Sequence, residues 1–329
     1  MEDEVSIRRV VLLVLMGLAV FLYSIGHLTK AMKAVAGDRL ERWLHRNTRH
    51  LASALAVGIG ATMVLQSSSV VIILTIVLVN SGLMTFRNAM GVVLGANIGT
   101  TFSSQLIAFD IGEWSAVPLL IGLLLEQVSR SSKWRSIGTV VFSFGLLFAA
   151  LYMMGYAMLP LKNDDLFVAW LHGLEDPLKG ALFGGLITLV IQSSSATVAM
   201  AITMAGKGLL TLPAGIALML GAELGTCSDT LLATLRTDRQ ALKVGLFHMG
   251  FNLVTIILGL LLITPFTSLA VWLSGDASAA RSIANAHMLF NVIGVALMIP
   301  FVPKVAALMD RLVTPGRKAL DTSAPLPQV

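Results

Sequence analysis

The chain has 329 residues, 56% of them hydrophobic and 12% charged, with a formal net charge of +5. With a mean hydropathy of +0.84 it is too apolar for a soluble globular enzyme and fits an all-α polytopic membrane protein. The single cysteine, Cys227, excludes an internal disulfide. The positive charge lies mostly in short loops and the tail, so it reads as membrane orientation and not as nucleic-acid binding.

The first apolar run, Val5 to Leu28, is long enough to span a bilayer. It follows Glu2-Asp3-Glu4 and has no strong positive leader, so it reads as a retained helix and not a signal peptide. Residues 1–29 are taken as the first span. Residues 30–51 carry Lys30, Lys33, Arg39, Arg42, Arg46 and Arg49 against two acids, with apolar residues at near-helical spacing. That pattern predicts an amphipathic helix on the cytoplasmic membrane surface.

Within residues 52–136, the stretch Ala52 to Val79 is two apolar arms around Gln66-Ser67-Ser68-Ser69. Each arm is shorter than the roughly 20 residues of a span. A re-entrant helix-break-helix hairpin is favoured over one long helix, because Ser67 to Ser69 would then cap the second arm. Asn88 to Phe109 spans next, interrupted by Gly95-Ala96-Asn97-Ile98-Gly99-Thr100-Thr101, which suggests an unwound centre. Ser115 to Val128 returns as a short helix.

The pattern then restarts in residues 137–264. Ile137 to Leu159 spans, and an acidic outer segment leads to a second hairpin at 180–206, with Gln192-Ser193-Ser194-Ser195 at its tip. The two tetrads lie 126 residues apart, and the register holds around them without a gap. Gly58 falls on Gly184, Thr62 on Thr188, Gly95-Ala96 on Gly221-Ala222, and Gly99-Thr100 on Gly225-Thr226. This is an internal repeat. Three crossings per repeat would insert the second copy upside down, giving two inverted-topology repeats, each with a re-entrant hairpin. Residues 265–303 are expected to hold one final span and 304–329 a cytoplasmic tail, disordered from Asp321.

A helix that starts at Ser67 or Ser193 offers free N–H groups and the positive end of its dipole, an anion site without a charged side chain. Amide and hydroxyl oxygens of Gln66, Asn97, Thr100, Thr101, Gln192 and Thr226 suit a hard cation such as sodium. A multiply charged anion in this oily setting needs accompanying cations. Glu223, an ionisable residue at mid-membrane, is a functional candidate by position: sodium ligand, proton carrier or silent acid. Against these stand plainer readings. Serines in membrane helices often bond the carbonyl one turn back, and spaced glycines often only pack helices. His248 and His287 read as packing residues bonded to neighbours. No nucleotide loop, transition-metal cluster or catalytic triad is visible, and neither an enzyme nor an organic cofactor is expected.

The paired Gln-Ser-Ser-Ser tetrads, the Gly-Ala-Asn-Ile-Gly-Thr-Thr run, and the His248 to Asn252 and His287 to Asn291 helices resemble the type II sodium/phosphate cotransporters and their bacterial relatives. The resemblance covers about residues 10 to 305. It implies phosphate at Ser67, Ser68, Ser69, Ser193, Ser194 and Ser195, with sodium at Gln66, Gln192 and the threonines after the glycines. Glu223, where the first repeat has Asn97, departs from that pattern. The expected function is therefore symport of inorganic phosphate with sodium, across a bacterial inner membrane, with the C-terminus cytoplasmic. Membrane lipid is the other expected partner, and a homo-oligomer is left open. An exporter, another oxyanion carrier, a passive channel and a regulatory subunit are the competing readings.

Overall fold

The computed structural model describes residues 7–36, 43, 47–235 and 237–313. These residues form helices and no strand. In chain order the helices are α1 (Ile7–Ala36), α2 (Leu51–Leu65), α3 (Ser68–Asn80), α4 (Phe86–Ile107), α5 (Ala116–Val128), α6 (Ser132–Met158), α7 (Asp165–Gly173), α8 (Pro177–Ile191), α9 (Ser194–Gly206), α10 (Leu212–Gly225), α11 (Cys227–Thr234), α12 (Arg239–Leu261), α13 (Ile263–Ser274), α14 (Ala279–Met298) and α15 (Val302–Leu312).

Local chemistry sets many of the starts. Thr85, Asp164, Asp176, Asp238 and Ser278 each accept a hydrogen bond from the first turn of the helix they precede. Pro177 follows Asp176 at a position where a missing N–H costs nothing.

Five stretches are long and apolar enough to cross a bilayer: Ile7–Val35, Ser132–Asn163, Leu212–Thr234, Arg239–Leu261 and Ala279–Leu312. A sixth is the pair Phe86–Ile107 and Gly112–Val128, bent by 77°. The protein is an all-α integral membrane protein. The hairpin arms, of 15 and 13 residues each, are too short to span alone.

The repeat is visible in three dimensions. The bounds of α2 and α3 recur 126 residues later, without a shift, in α8 and α9. α4 recurs as α10 plus α11, and α1 as α6 within a few residues. Gly58 lies so close to α4 that a Cβ there would meet the Val92 carbonyl oxygen at 2.3 Å, and one on Gly95 would meet that of Leu55 at 2.1 Å. The matched glycines do the same: Gly184 against Leu218 at 2.2 Å and Gly221 against Ala181 at 1.8 Å. Each hairpin's first arm is therefore laid backbone to backbone on the following span, an approach only small residues permit.

Two apolar cores follow. One gathers α2, α3 and α4 with α12 and α15, and the other gathers α9 and α10 with α1, α6 and α14. α12 packs on α3, α4, α10 and α11, while α14 packs on α4, α9 and α10. Exchanging the halves turns one neighbour set into the other, so α12 and α14, which carry the two His-x-x-x-Asn sequences, stand in equivalent places. α15 is tied to α12 by the Lys243–Asp310 ion pair, 2.5 Å, with Lys243 buried.

Several boundaries differ from the sequence expectation. α1 continues past residue 29 to Ala36, because Ala31, Met32, Ala34 and Val35 prolong its apolar side. Of the amphipathic segment 30–51, residues 37–42 and 44–46 lie outside the described residues, as do residues 314–329, which include the tail from Asp321. Residues 265–303 hold one span-length helix, within Ala279–Leu312, but not a single helix throughout. α13 ends at Ser274, where Gly275 takes a positive φ of 56°, and α14 starts afresh after the Ser278 cap.

Candidate functional site at the hairpin tips

At each tip the chain breaks the same way. Gln66 (φ 52°, ψ 29°) and Gln192 (φ 60°, ψ 31°) are left-handed, which ends the first arm. Each glutamine's own amide N–H is held by a carbonyl one turn back, Thr62 in one case and Thr188 in the other. Ser67 and Ser193 are then extended and cap the second arm, accepting from the N–H of Val70 and of Ala196. A non-glycine residue in the left-handed region is uncommon, and two of the three such residues among those described sit at these tips. Ser68 and Ser194, buried, open the first turns of α3 and α9.

The tips come together. Gln66, Ser103 and Ser195 line one small cavity of about 20 Å3. The Gln66 Oε1 accepts from Ser103 Oγ at 2.8 Å. At the other tip Gln192 exchanges weaker contacts with Ser228, 3.3 and 3.4 Å. Asp229 interacts with the Ser69 side chain and also accepts from the Thr230 N–H at 2.5 Å. Thus α4 supplies Ser103 between the two tips, bonded to Gln66 and lining the cavity with Ser195, and α11 supplies Asp229 beside the first. Ser103 and Asp229 occupy the same register 126 residues apart.

The predicted unwinding at Gly95–Thr101 is not found: α4 is continuous from Phe86 to Ile107. In the second copy only Thr226 interrupts the hydrogen-bond pattern, and its backbone stays helical at φ −66°, ψ −24°. The glycines serve helix crossing, which uses the same residues that unwinding would. Consequently Thr100, Thr101 and Thr226 bond the carbonyls of Ala96, Ile98 and Ala222 within their own helices. No unwound carbonyls are left there for a cation.

Asn97 and Glu223 lie apart from the tip cavity, in a buried polar belt. Glu223 Oε1 is 2.7 Å from His287 Nε2, and His287 Nδ1 is 2.7 Å from Ser104 Oγ. Asn97 donates to Asn252 Oδ1 at 3.3 Å, and Asn252 donates to the Glu223 carbonyl at 3.0 Å. His248 Nδ1 is 2.8 Å from Thr230 Oγ1. Both histidines are therefore bonded to neighbours. Ser104 and Thr230 are again register mates, so His287 on α14 and His248 on α12 read matched hydroxyls. Ser103, Ser104, Ser228 and Thr230 went unnoticed in the sequence, although they lie two to four residues beyond Thr100 and Thr226 and the repeat aligns Ser104 with Thr230.

A bundle of apolar helices with two serine-capped helix starts and a buried polar belt defines a membrane protein that holds polar groups in its interior. The chain belongs to the Na+/Pi-cotransporter family, which matches residues 20–156 and 162–301. It is 29% identical over 283 residues to "Uncharacterized protein YqeW" of Bacillus subtilis, covering 85% of this chain and 91% of that one. It is 28% identical over 275 residues to "Putative inorganic phosphate export protein YjbB" of Escherichia coli (strain K12), covering 83% of this chain and 50% of that protein, so it spans about half of that relative's length. A stretch of 95 residues is 40% identical to "Sodium-dependent phosphate transport protein 2C" of Homo sapiens, which is 28% of this chain and 15% of that one. No solved structure matches.

Proposed function

We propose that this protein is a secondary transporter of inorganic phosphate driven by sodium, with phosphate held between the two hairpin tips. The observation that carries the reading is the meeting of the tips: Gln66 and Ser195 share a cavity. Two helix starts of 13-residue helices border that region. Their free first-turn N–H groups, with the hydroxyls of Ser67, Ser68, Ser69, Ser193, Ser194 and Ser195, suit a tetrahedral oxyanion. Neutral dipoles alone leave a dianion poorly compensated in a low-dielectric interior, so a co-bound cation is part of the reading. Asp229, beside Ser69, brings a carboxyl group to the tip. Gln66 and Gln192 bring amide oxygens, and Glu223 adds a carboxylate in the belt behind them.

The two halves are taken to be inserted in opposite senses, so that rocking one against the other opens the tips to each side in turn. Loop charge supports a cytoplasmic C-terminus, and the membrane is taken to be an inner one. Sodium-dependent uptake of labelled phosphate into vesicles tests the reading. Ser68→Leu or Ser194→Leu should abolish uptake with expression retained, and uptake indifferent to replacing sodium by potassium would remove the coupling. The name of the Escherichia coli relative favours a second reading, the same carrier running outward. Efflux from phosphate-loaded vesicles against imposed sodium gradients separates the two directions.

A further inference from the structure

The tip cavity shares part of its wall with a second space. Ile107 and Phe148, both buried, form part of its wall, and the same two side chains line a larger cavity of about 130 Å3. This second space lies between the end of α4, α6, the end of α9 and the start of α14, at the end of the molecule that carries Asp110. Its cation is Lys207, in the turn after α9. Lys207 Nζ lies 4.7 Å from the Tyr156 ring centre and 5.6 Å from that of Tyr152. No salt bridge joins Lys207 to a carboxylate among the described residues. Thr203 and Tyr152 line the same space, and so does Ser278, the cap of the 20-residue helix α14. Asp110 stands at the exposed rim. The position matching Lys207 in the first half is Ser81, so this charge has no counterpart at the other mouth.

We propose that this cavity is a loading site for a small tetrahedral oxyanion, inorganic phosphate, on its way to or from the hairpin tips. Lys207 is its anchor, and Ile107 with Phe148 is the apolar pinch between the two. The inference rests on phosphate as the cargo of the tip site. A half-buried amine held against two tyrosine faces keeps its positive charge aimed at one place, and a cavity walled by low-dielectric side chains focuses that field. The rim carboxylate limits affinity, as a station passed in transit requires.

The test uses the full chain in nonionic detergent with Thr203→Cys as reporter, and Gly206→Cys, which lines the same cavity, as a second reporter should the first fold poorly. Cys227 is the sole native thiol and is buried, so the unsubstituted protein is the blank. An anionic methanethiosulfonate should react faster than a cationic one. In Lys207→Gln the anionic reagent should slow and the cationic one speed up by about fivefold each, the size expected for one unit charge near 4 Å in water, so the ratio of their rates should fall about 25-fold. Millimolar inorganic phosphate should slow labelling, while chloride at equal ionic strength should not. Protection should vanish in Lys207→Gln and persist in Lys207→Arg.

Protection untouched by Lys207→Gln, or given by phosphatidylglycerol but not by inorganic phosphate, overturns the site. A chain that shows Lys207-dependent protection yet moves no phosphate in vesicles keeps the cavity and loses the transport reading. A chain that transports normally in Lys207→Gln and shows no protection does the reverse.

Discussion

At Gly58 and Gly95 in the first half, and at Gly184 and Gly221 in the second, helices cross at backbone contact in the same register. At four other matched positions the halves part company. Asn97 faces Glu223, Ser103 faces Asp229, Ser81 faces Lys207, and Val71 faces Thr197. The common positions set backbone geometry: the crossings, the left-handed glutamines and the serine caps. The divergent ones set charge and hydrogen bonding, and three of the four place an ionisable group in the second half only. A duplicated frame thus fixes where two tips meet, while at three of these four positions the second copy adds an ionisable group.

The largest effect is expected from the common positions. Gly221→Val places a branched side chain where even a Cβ would lie 1.8 Å from the Ala181 carbonyl oxygen. α8 and α10 would have to separate, well beyond the roughly 1–3 kcal/mol of ordinary overpacking. Monodisperse protein on size exclusion should be lost. Gly95→Val should fail the same way, since Leu55 stands at 2.1 Å. If one variant folds and the other does not, the halves are not equivalent at their crossings.

The divergent positions call for a functional readout. Glu223→Gln keeps shape and a partner for His287 and removes the carboxyl group. If that carboxyl group serves the cation, the sodium concentration for half-maximal uptake should rise at least about tenfold, the equivalent of 1.4 kcal/mol. Asn97→Gln, in the neutral copy, should change it far less. An unchanged sodium titration in Glu223→Gln would take this residue out of the site and leave Asp229 as the acidic side chain nearest a tip.

Much of this was readable from the residues alone. Four polar residues between apolar arms announce a break, and a serine after the break announces a cap, because local backbone chemistry decides both. The 126-residue register carries over into matched helix bounds. What misled was the glycine-rich run from Gly95 to Thr101: small residues beside polar ones fit an unwound helix and a tight crossing equally well, and only the partner helix decides. The belt linking Glu223, His287 and Ser104 joins residues 64 and 183 positions apart, and no local pattern announces such a pairing. The split between α13 and α14 turns on Gly275, whose positive φ the apolar runs on either side conceal.

The smallest effect is the most direct test of the comparison. Thr188 Oγ1 donates to Thr197 Oγ1 at 2.7 Å in the second half. In the first half Thr62, its mate, is buried with an Oγ1 that has no partner, because the position matching Thr197 is Val71. A buried unsatisfied hydroxyl costs about 1–3 kcal/mol. Val71→Thr supplies the missing group at nearly the same volume, and its own Oγ1 can share the Ser67 carbonyl, as Thr197 reaches the Ser193 carbonyl at 3.4 Å. The variant should therefore gain about 0.5–1.5 kcal/mol, the net worth of one intramolecular hydrogen bond. The gain would be read as a higher midpoint of thermal unfolding in detergent. The reverse change, Thr197→Val, should orphan Thr188 and lower the midpoint by a comparable amount. If Val71→Thr destabilises instead, the surroundings of the two hairpins differ more than their matched backbones indicate.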